Sequence, residues 1–369
     1  MTAVQIEIQL VAALVAVTCS LPGVFLILRR MAMMSDAISH AILLGIVLAF
    51  FVTRDISSPF LIIAAALTGL LTVSMVELLN RTGLVKEDAA IGLVFPLLFS
   101  LGVILISRFA GKVHLDTDAV LLGEIAFAPF NRLELFGYDL GPKALTVMAV
   151  ILLANLSFII FFYKELKLAT FDAGLAAVLG FSPGIIHYGL MTLVSVTAVG
   201  AFDAVGSILV VALMIGPPAT AYLFCDRLSS MLTASSLIGV IVAITGYWLA
   251  HFLDASISGC MATMAGIIFG LTFLFSPGRG LVAMSLRRVR QRLEFAQTML
   301  VVHLYHHEGL PEEEKENSVE HLHEHLRWRR SFSERVVWFA KERELVERQN
   351  GFIILTERGR AAAQKAITG

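Results

Sequence analysis

Long apolar runs separated by short polar breaks fill the first three quarters of the chain, and the last quarter reads differently. A hydrocarbon core about 30 Å thick is crossed by about 20 helical residues. Runs at approximately 8–28, 33–52, 59–79, 89–107, 145–163, 185–201, 204–224, 231–252 and 258–276 therefore predict membrane-spanning helices. The count is eight or nine, because Ile185 to Phe224 is almost unbroken apart from His187 and Asp203. That stretch is either two spans joined by a tight turn at "VGAFDAVG", where Gly200 and Gly206 would permit it, or one of the two is broken. Irregular backbone at membrane depth persists only where protein or a cavity surrounds it. Pro217 and Pro218 are expected to kink the following helix.

From Leu286 the period becomes that of amphipathic helices in water. "LRRVRQRLEFAQTMLVVHLYHHEG" has helical spacing, "PEEEKENS" is a charged linker, and a helix is expected from Ser333 to Glu347. Phe352 to Leu355 reads as a strand leading into a helix at Thr356. Helices, a small strand pair and a terminal helix follow the order of a winged-helix domain. The expected architecture is an all-α polytopic membrane protein of about eight or nine transmembrane helices, residues 1–284. A small cytoplasmic winged-helix-like α+β domain, residues 285–369, follows it.

Composition supports the division. Of the 369 residues 57% are hydrophobic and only 15% charged, against about a quarter charged in soluble domains. Fifteen of the 28 Lys and Arg and six of the ten His lie after Met284. The 15 basic and 13 acidic residues there leave a net charge of +2, which argues against a nucleic-acid partner. Cys19, Cys225 and Cys260 are scattered without a CxxC pair, so neither a disulfide framework nor a structural zinc site is expected. The first apolar run lacks a basic leader and reads as a retained span. Arg29 and Arg30, Arg81 and Lys86, Lys164 and Lys167, Arg227, and Arg279 with the 287–292 cluster all fall on one side of the membrane. Positive charge marks the cytoplasmic side, which puts the N-terminus outside and the C-terminal domain inside.

"MAMMSDAISHAILLGIVLAF" carries the candidate chemistry. Asp36 and His40, four residues apart, share one helix face. An ionisable pair inside a span marks a pathway more often than a packing contact. Carboxylate oxygen with imidazole nitrogen suits a divalent ion such as Mn, Fe or Zn, while the structural alternative is a hydrogen bond pinning two helices. Ser35 and Ser39 are placed to orient the pair. Asp203 is either a solvated turn residue or a metal ligand at the channel entrance, and His187 reads as interfacial. His114, Asp116, Asp118 and Glu124 form an outer segment that draws cations, docks a partner, or is a plain acidic loop. His321, His323 and His325, with His303, His306 and His307, offer a regulatory metal site or a solvated helix face. No GxxxxGK[ST] loop is present, so ATP hydrolysis by that route falls to another polypeptide and the chain is not itself expected to be an enzyme.

"ILRRMAMMSDAISHAILLGI", "LVKEDAAIGLVFPLLFSLGVIL", "HLDTDAVLLGEI", "FDAGLAAVLGF" and "AVGSILVVALMIGPPATA" resemble, in this order, the permease family of zinc, manganese and iron ABC importers. The resemblance covers roughly residues 10 to 277. It implies a bacterial inner-membrane subunit that pairs with a second permease, like or unlike. Two ATPase subunits would lie beneath and an external metal-binding lipoprotein above, with Mn, Fe or Zn as cargo and no permanent cofactor. The family's second-span Asp and His fall on Asp36 and His40; at Asp203 relatives vary. The stretch around Phe171, Asp172 and Ala176 would couple to the ATPase. "ERELVERQNGFIILTERGRAAA" resembles the winged helix of iron- and manganese-responsive repressors. A membrane-anchored, metal-responsive transcriptional regulator is thus the alternative, and a proton-driven transporter is third.

Overall fold

The computed structural model describes residues 2–54, 60–109, 125–135, 138–311, 317–318, 326, 328–349 and 351–368. The chain divides into two compact units, Met1–Gly280 and Leu281–Gly369.

The first unit is a helical bundle. Its apolar helices are α1 (Ala3–Leu28), α2 (Ala32–Thr53), α3 (Phe60–Arg81), α4 (Glu87–Phe109) and α5 (Lys143–Phe161), the last preceded by a hairpin of β1 (Arg132–Leu135) and β2 (Tyr138–Pro142). Two short helices follow, α6 (Tyr163–Phe171) and α7 (Ala173–Val178). The bundle closes with α8 (Pro183–Val205), α9 (Ser207–Tyr222), α10 (Leu228–Leu253) and α11 (Ile257–Phe275). Among the described residues eight of these helices are long and apolar enough to cross a membrane, and α9 is shorter. At 1.5 Å per residue, α9 spans roughly 24 Å, less than the hydrocarbon core.

The ambiguous forty residues resolve into two helices with a one-residue break. Gly206 takes φ +79°, a conformation open to glycine, and α9 starts at the next residue. Gly200 does not turn the chain. It is buried within α8, where a Cβ would meet Ile151 of α5 at 2.2 Å. Pro217 and Pro218 lie inside α9, which ends at Tyr222.

Helix α1 is the axis of the bundle, packed by α5, α8, α9 and α10, while α2 lies against α3, α4 and α8. Lipid gives apolar helices no hydrophobic reason to associate, so close approach and internal polar bonds hold them. Gly45 shows the first device: a Cβ there would lie 2.5 Å from the Ala64 carbonyl oxygen of α3. Asn155 shows the second. Fully buried on α5, it donates to the Thr18 carbonyl of α1 at 3.2 Å and to Thr197 Oγ1 of α8 at 2.9 Å.

The second unit contains α12 (Leu281–His307), α13 (Arg330–Glu342), the antiparallel pair β3 (Val346–Gln349) and β4 (Phe352–Leu355), and α14 (Glu357–Thr368). Its core is Leu300, Val301, Leu304, Val336, Ala340, Val346, Ile353 and Ala363. The helix expected to reach Glu347 stops at Glu342. Glu344 adopts a left-handed φ of +57°, the chain turns, and Glu347 belongs to β3. Thr356 caps α14 by accepting from the Gly359 amide at 3.0 Å.

Candidate metal-translocation site

Asp36 and His40 lie one turn apart on α2, with His40 Nε2 3.5 Å from Asp36 Oδ1. The imidazole sits between two rings of α4, Phe95 at 5.6 Å and Phe99 at 5.8 Å between centroids. Both side chains keep about a third of their surface uncovered, 26% for His40 and 36% for Asp36. Among the described residues neither side chain is enclosed in the packed interior, although both lie in a helix of membrane length. Ser35 and Ser39 are buried but do not orient the pair. Their hydroxyls bond back to the carbonyls of Ala32 and Ser35, at 2.9 and 2.8 Å.

Asp203 is not a turn residue: it is helical and exposed in the last turn of α8. Among the described residues no group of three or more His, Cys, Asp or Glu side chains is set for a metal ion, so Asp203 does not complete the Asp36–His40 pair here. His114, Asp116, Asp118, Glu124, His321, His323 and His325 lie outside the described residues.

The structure adds a polar group that sequence reading passed over. Arg29, which closes α1, donates from Nε to Thr170 Oγ1 of α6 at 3.2 Å and approaches His187 Nδ1 of α8 at 3.3 Å. The other face of that imidazole lies 3.9 Å from Glu77 Oε2 of α3, beyond hydrogen-bond reach, and Glu77 Oε1 pairs with Arg81 at 2.6 Å. Burial pulls the Arg29 guanidinium down to about 10, so it remains charged at neutral pH. Next to this group a cavity of about 190 Å³ is lined by Met31, Met34, Glu77, Asn80, Glu87 and His187. One carboxylate oxygen of each glutamate is buried there without a hydrogen bond. Arg29 therefore ties α6 to the corner from which α2 carries Asp36 inward. The signal for it was the pair of arginines between two apolar runs, which sequence reading used only for orientation.

The α6–α7 segment presents a surface. Phe171, Leu175, Val178 and Leu179 are exposed, and Asp172 caps α7 by accepting from the Leu175 amide at 2.9 Å. Ala176 is fully buried, so the apolar face is offered by these neighbours and not by Ala176.

The family description "ABC 3 transport family" matches residues 3–276. The zinc transport system membrane protein TroD of Treponema pallidum is 49% identical over 361 residues, 98% of each chain. The manganese transport system membrane protein MntD of Bacillus subtilis is 50% identical over 283 residues, 77% of this chain and 96% of that one. The first alignment runs through both units; the second has about the length of the bundle. Among solved structures, PsaBC from Streptococcus pneumoniae in complex with Fab superposes with a TM-score of 0.64 at 29% identity, covering 77% of this chain and 96% of its own. Matched across the whole of its helical bundle, the chain belongs to the ABC 3 transport family.

Proposed function

We propose that the chain is the membrane-spanning permease subunit of an ATP-driven importer that moves a divalent transition metal, manganese, iron or zinc, into the cytoplasm. The observation that carries this reading is the partly uncovered Asp36–His40 pair, an oxygen and a nitrogen donor 3.5 Å apart in a membrane-length helix. Such a mixed set accepts borderline divalent ions, and two relatives about half identical to the chain are named for zinc and manganese transport. Two donors do not fill a coordination sphere. A second permease subunit related by a twofold axis would present an equivalent pair, giving two oxygens and two nitrogens. The ion is cargo, delivered by an external binding protein and released inward.

The arginine- and lysine-bearing loops lie in the cytoplasm in this reading. The exposed apolar face of α6 and α7 receives one of two ATPase subunits. Arg29, bonded to Thr170 of α6, passes the ATPase's movement to the α1–α2 corner. The C-terminal unit, winged-helix-like in the order of its elements, is an interaction or metal-sensing module. Deleting it leaves transport intact but removes its restraint by internal metal.

Uptake of radiolabelled manganese and zinc by Asp36→Asn and His40→Ala, assembled with the ATPase, tests the reading. Each substitution leaves the cation's desolvation uncompensated, and uptake should fall to background. Near-normal uptake by both variants would overturn the assignment.

A further inference from the structure

We infer that a groove between α5 and α10 holds one phospholipid whose head group carries both a phosphate and a primary ammonium, of the ethanolamine kind. The groove has a volume of about 1070 Å³. Val17 and Leu21 of α1 form its floor, Leu156 and Ile159 of α5 one wall, and Leu232 and Leu237 of α10 the other. Ile160 and Leu237 at its rims are exposed, so it opens sideways from the bundle. From Ser229 to Leu237 α10 rises roughly 12 Å, close to the depth of one leaflet of a core about 30 Å thick. An apolar slot of that kind stays dry, and left empty it forfeits the dispersion contacts of its walls. An acyl chain restores them.

The charges of the lining select the head group, and they stand only where the groove meets the helix ends. Lys164 and Glu165 lie there in the first turn of α6, beside Ser229 in the first turn of α10. Among the described residues neither charge is engaged by another side chain. Deeper in, Thr233 and Ser236 return their hydroxyls to carbonyls of α10, at 3.2 and 3.0 Å. A cation beside an anion at the mouth matches a phosphate beside an ammonium: Lys164 donates to the phosphate, and the ammonium donates to Glu165. A purely anionic head group would set its charge against Glu165. The fold also favours lipid over a second copy of the chain. The helices packed on α2, which carries Asp36, are α1, α3, α4, α8 and α9, and neither wall of the groove is among them. The second permease subunit proposed above, a reading on which this step rests, meets the Asp36 side and leaves the groove to the membrane. The head group would brace the first turn of α6, whose last turn Arg29 holds through Thr170.

The test uses the full chain in detergent without metal or ATPase, so its outcome is independent of the uptake experiment. Native mass spectrometry with equimolar phosphatidylethanolamine and phosphatidylglycerol should show one retained phosphatidylethanolamine per chain. Ser236→Trp, which fills the groove, and Lys164→Gln, which removes the phosphate's partner, should each reduce that retention at least about tenfold. Glu165→Gln should abolish the preference between the two lipids. Leu97→Trp, on the exposed face of α4, should change nothing. A measurement on the unaltered chain guards against misfolded variants. In vesicles, phosphatidylethanolamine carrying a diazirine in one acyl chain should label residues 156–161 and 232–237 in preference to α4. Retention unaffected by Ser236→Trp, or labelling spread evenly around the bundle, overturns the site. Equal retention of both lipids by the unaltered chain overturns the choice of head group. Leu237→Cys chains that cross-link fully to each other in vesicles would give the groove to a second copy and overturn the lipid.

Discussion

Helix α2 of the bundle and helix α13 of the C-terminal unit turn opposite faces outward. On α2, Leu48 and Val52 are exposed, and apart from the face that carries Asp36 and His40 the helix is apolar; on α13, Glu334, Arg335 and Lys341 are exposed opposite a narrow stripe of Val336, Val337 and Ala340. In water the stripe itself drives folding, because each apolar side chain removed from solvent is worth about 1.5–3 kcal/mol. In lipid the outer face is already solvated, and association depends on how closely backbones meet and how completely buried polar groups are bonded. The bundle is accordingly sensitive to shape and the C-terminal unit to polarity.

The sharpest way to break that contrast is to enlarge a residue at a helix crossing. Gly45→Leu would drive a side chain into the Ala64 carbonyl and Thr68 Oγ1. Overpacking alone costs about 1–3 kcal/mol, and backbone cannot yield as a side chain does. We expect the variant to lose its monodisperse peak in detergent and all metal uptake. Leu97→Ala, on the exposed face of α4, should change thermal stability by no more than about 0.5 kcal/mol. Equal tolerance of the two would refute the packing argument.

Arg29→Gln probes how a polar bond acts within the bundle. It removes the charge from the contacts with Thr170 and His187 and leaves only a neutral donor on a shorter side chain. A charged hydrogen bond is worth about 1.5–3 kcal/mol, so metal moved per ATP hydrolysed should fall roughly tenfold or more while the complex still assembles. Arg29→Lys should recover part of the loss. Unaltered coupling in reconstituted vesicles would detach Arg29 from the mechanism.

What could be read beforehand follows the same division. Hydropathy placed nine helices within a few residues of their ends, because lipid imposes a length that needs no knowledge of neighbours. The i, i+4 rule joined Asp36 to His40, since both lie on one helix. It could not find Arg29, His187 and Glu77, which stand at the end of α1 and on α8 and α3 and meet only after packing. Nor could it show that Ser35 and Ser39 bond to their own helix or that Ala176 is buried, for spacing does not report which face a neighbour covers. In the C-terminal unit, amphipathic period located α12 and the strand Phe352–Leu355. The end of α13 was missed because Glu344 enters the left-handed region without a glycine to announce it.

The smallest expected effect lies at the polarity-sensitive end of the comparison. Glu294 on α12 is bonded to Arg290 at 3.1 Å and to Arg343 at 3.3 Å. Those guanidiniums hold its carboxyl below the ordinary glutamate range. A depressed carboxyl favours the folded state while ionised. The contribution is therefore complete above the unfolded-state value of about 4.3, and is lost as pH falls through that range toward the lowered folded value. The pair is solvent-screened, so the effect is modest and shrinks with salt. Trp328 and Trp338 belong to this unit, and Trp248→Phe silences the remaining tryptophan of the chain. Stability of the unit against unfolding, followed by fluorescence in that background, should fall between about pH 5 and pH 3 at low salt. Glu294→Gln should lower stability at pH 6 and flatten that decline, and half-molar salt should bring the two proteins together. A decline of the same steepness in both would mean that Arg290 and Arg343 orient α12 and α13 through shape alone, as helices do in the bundle.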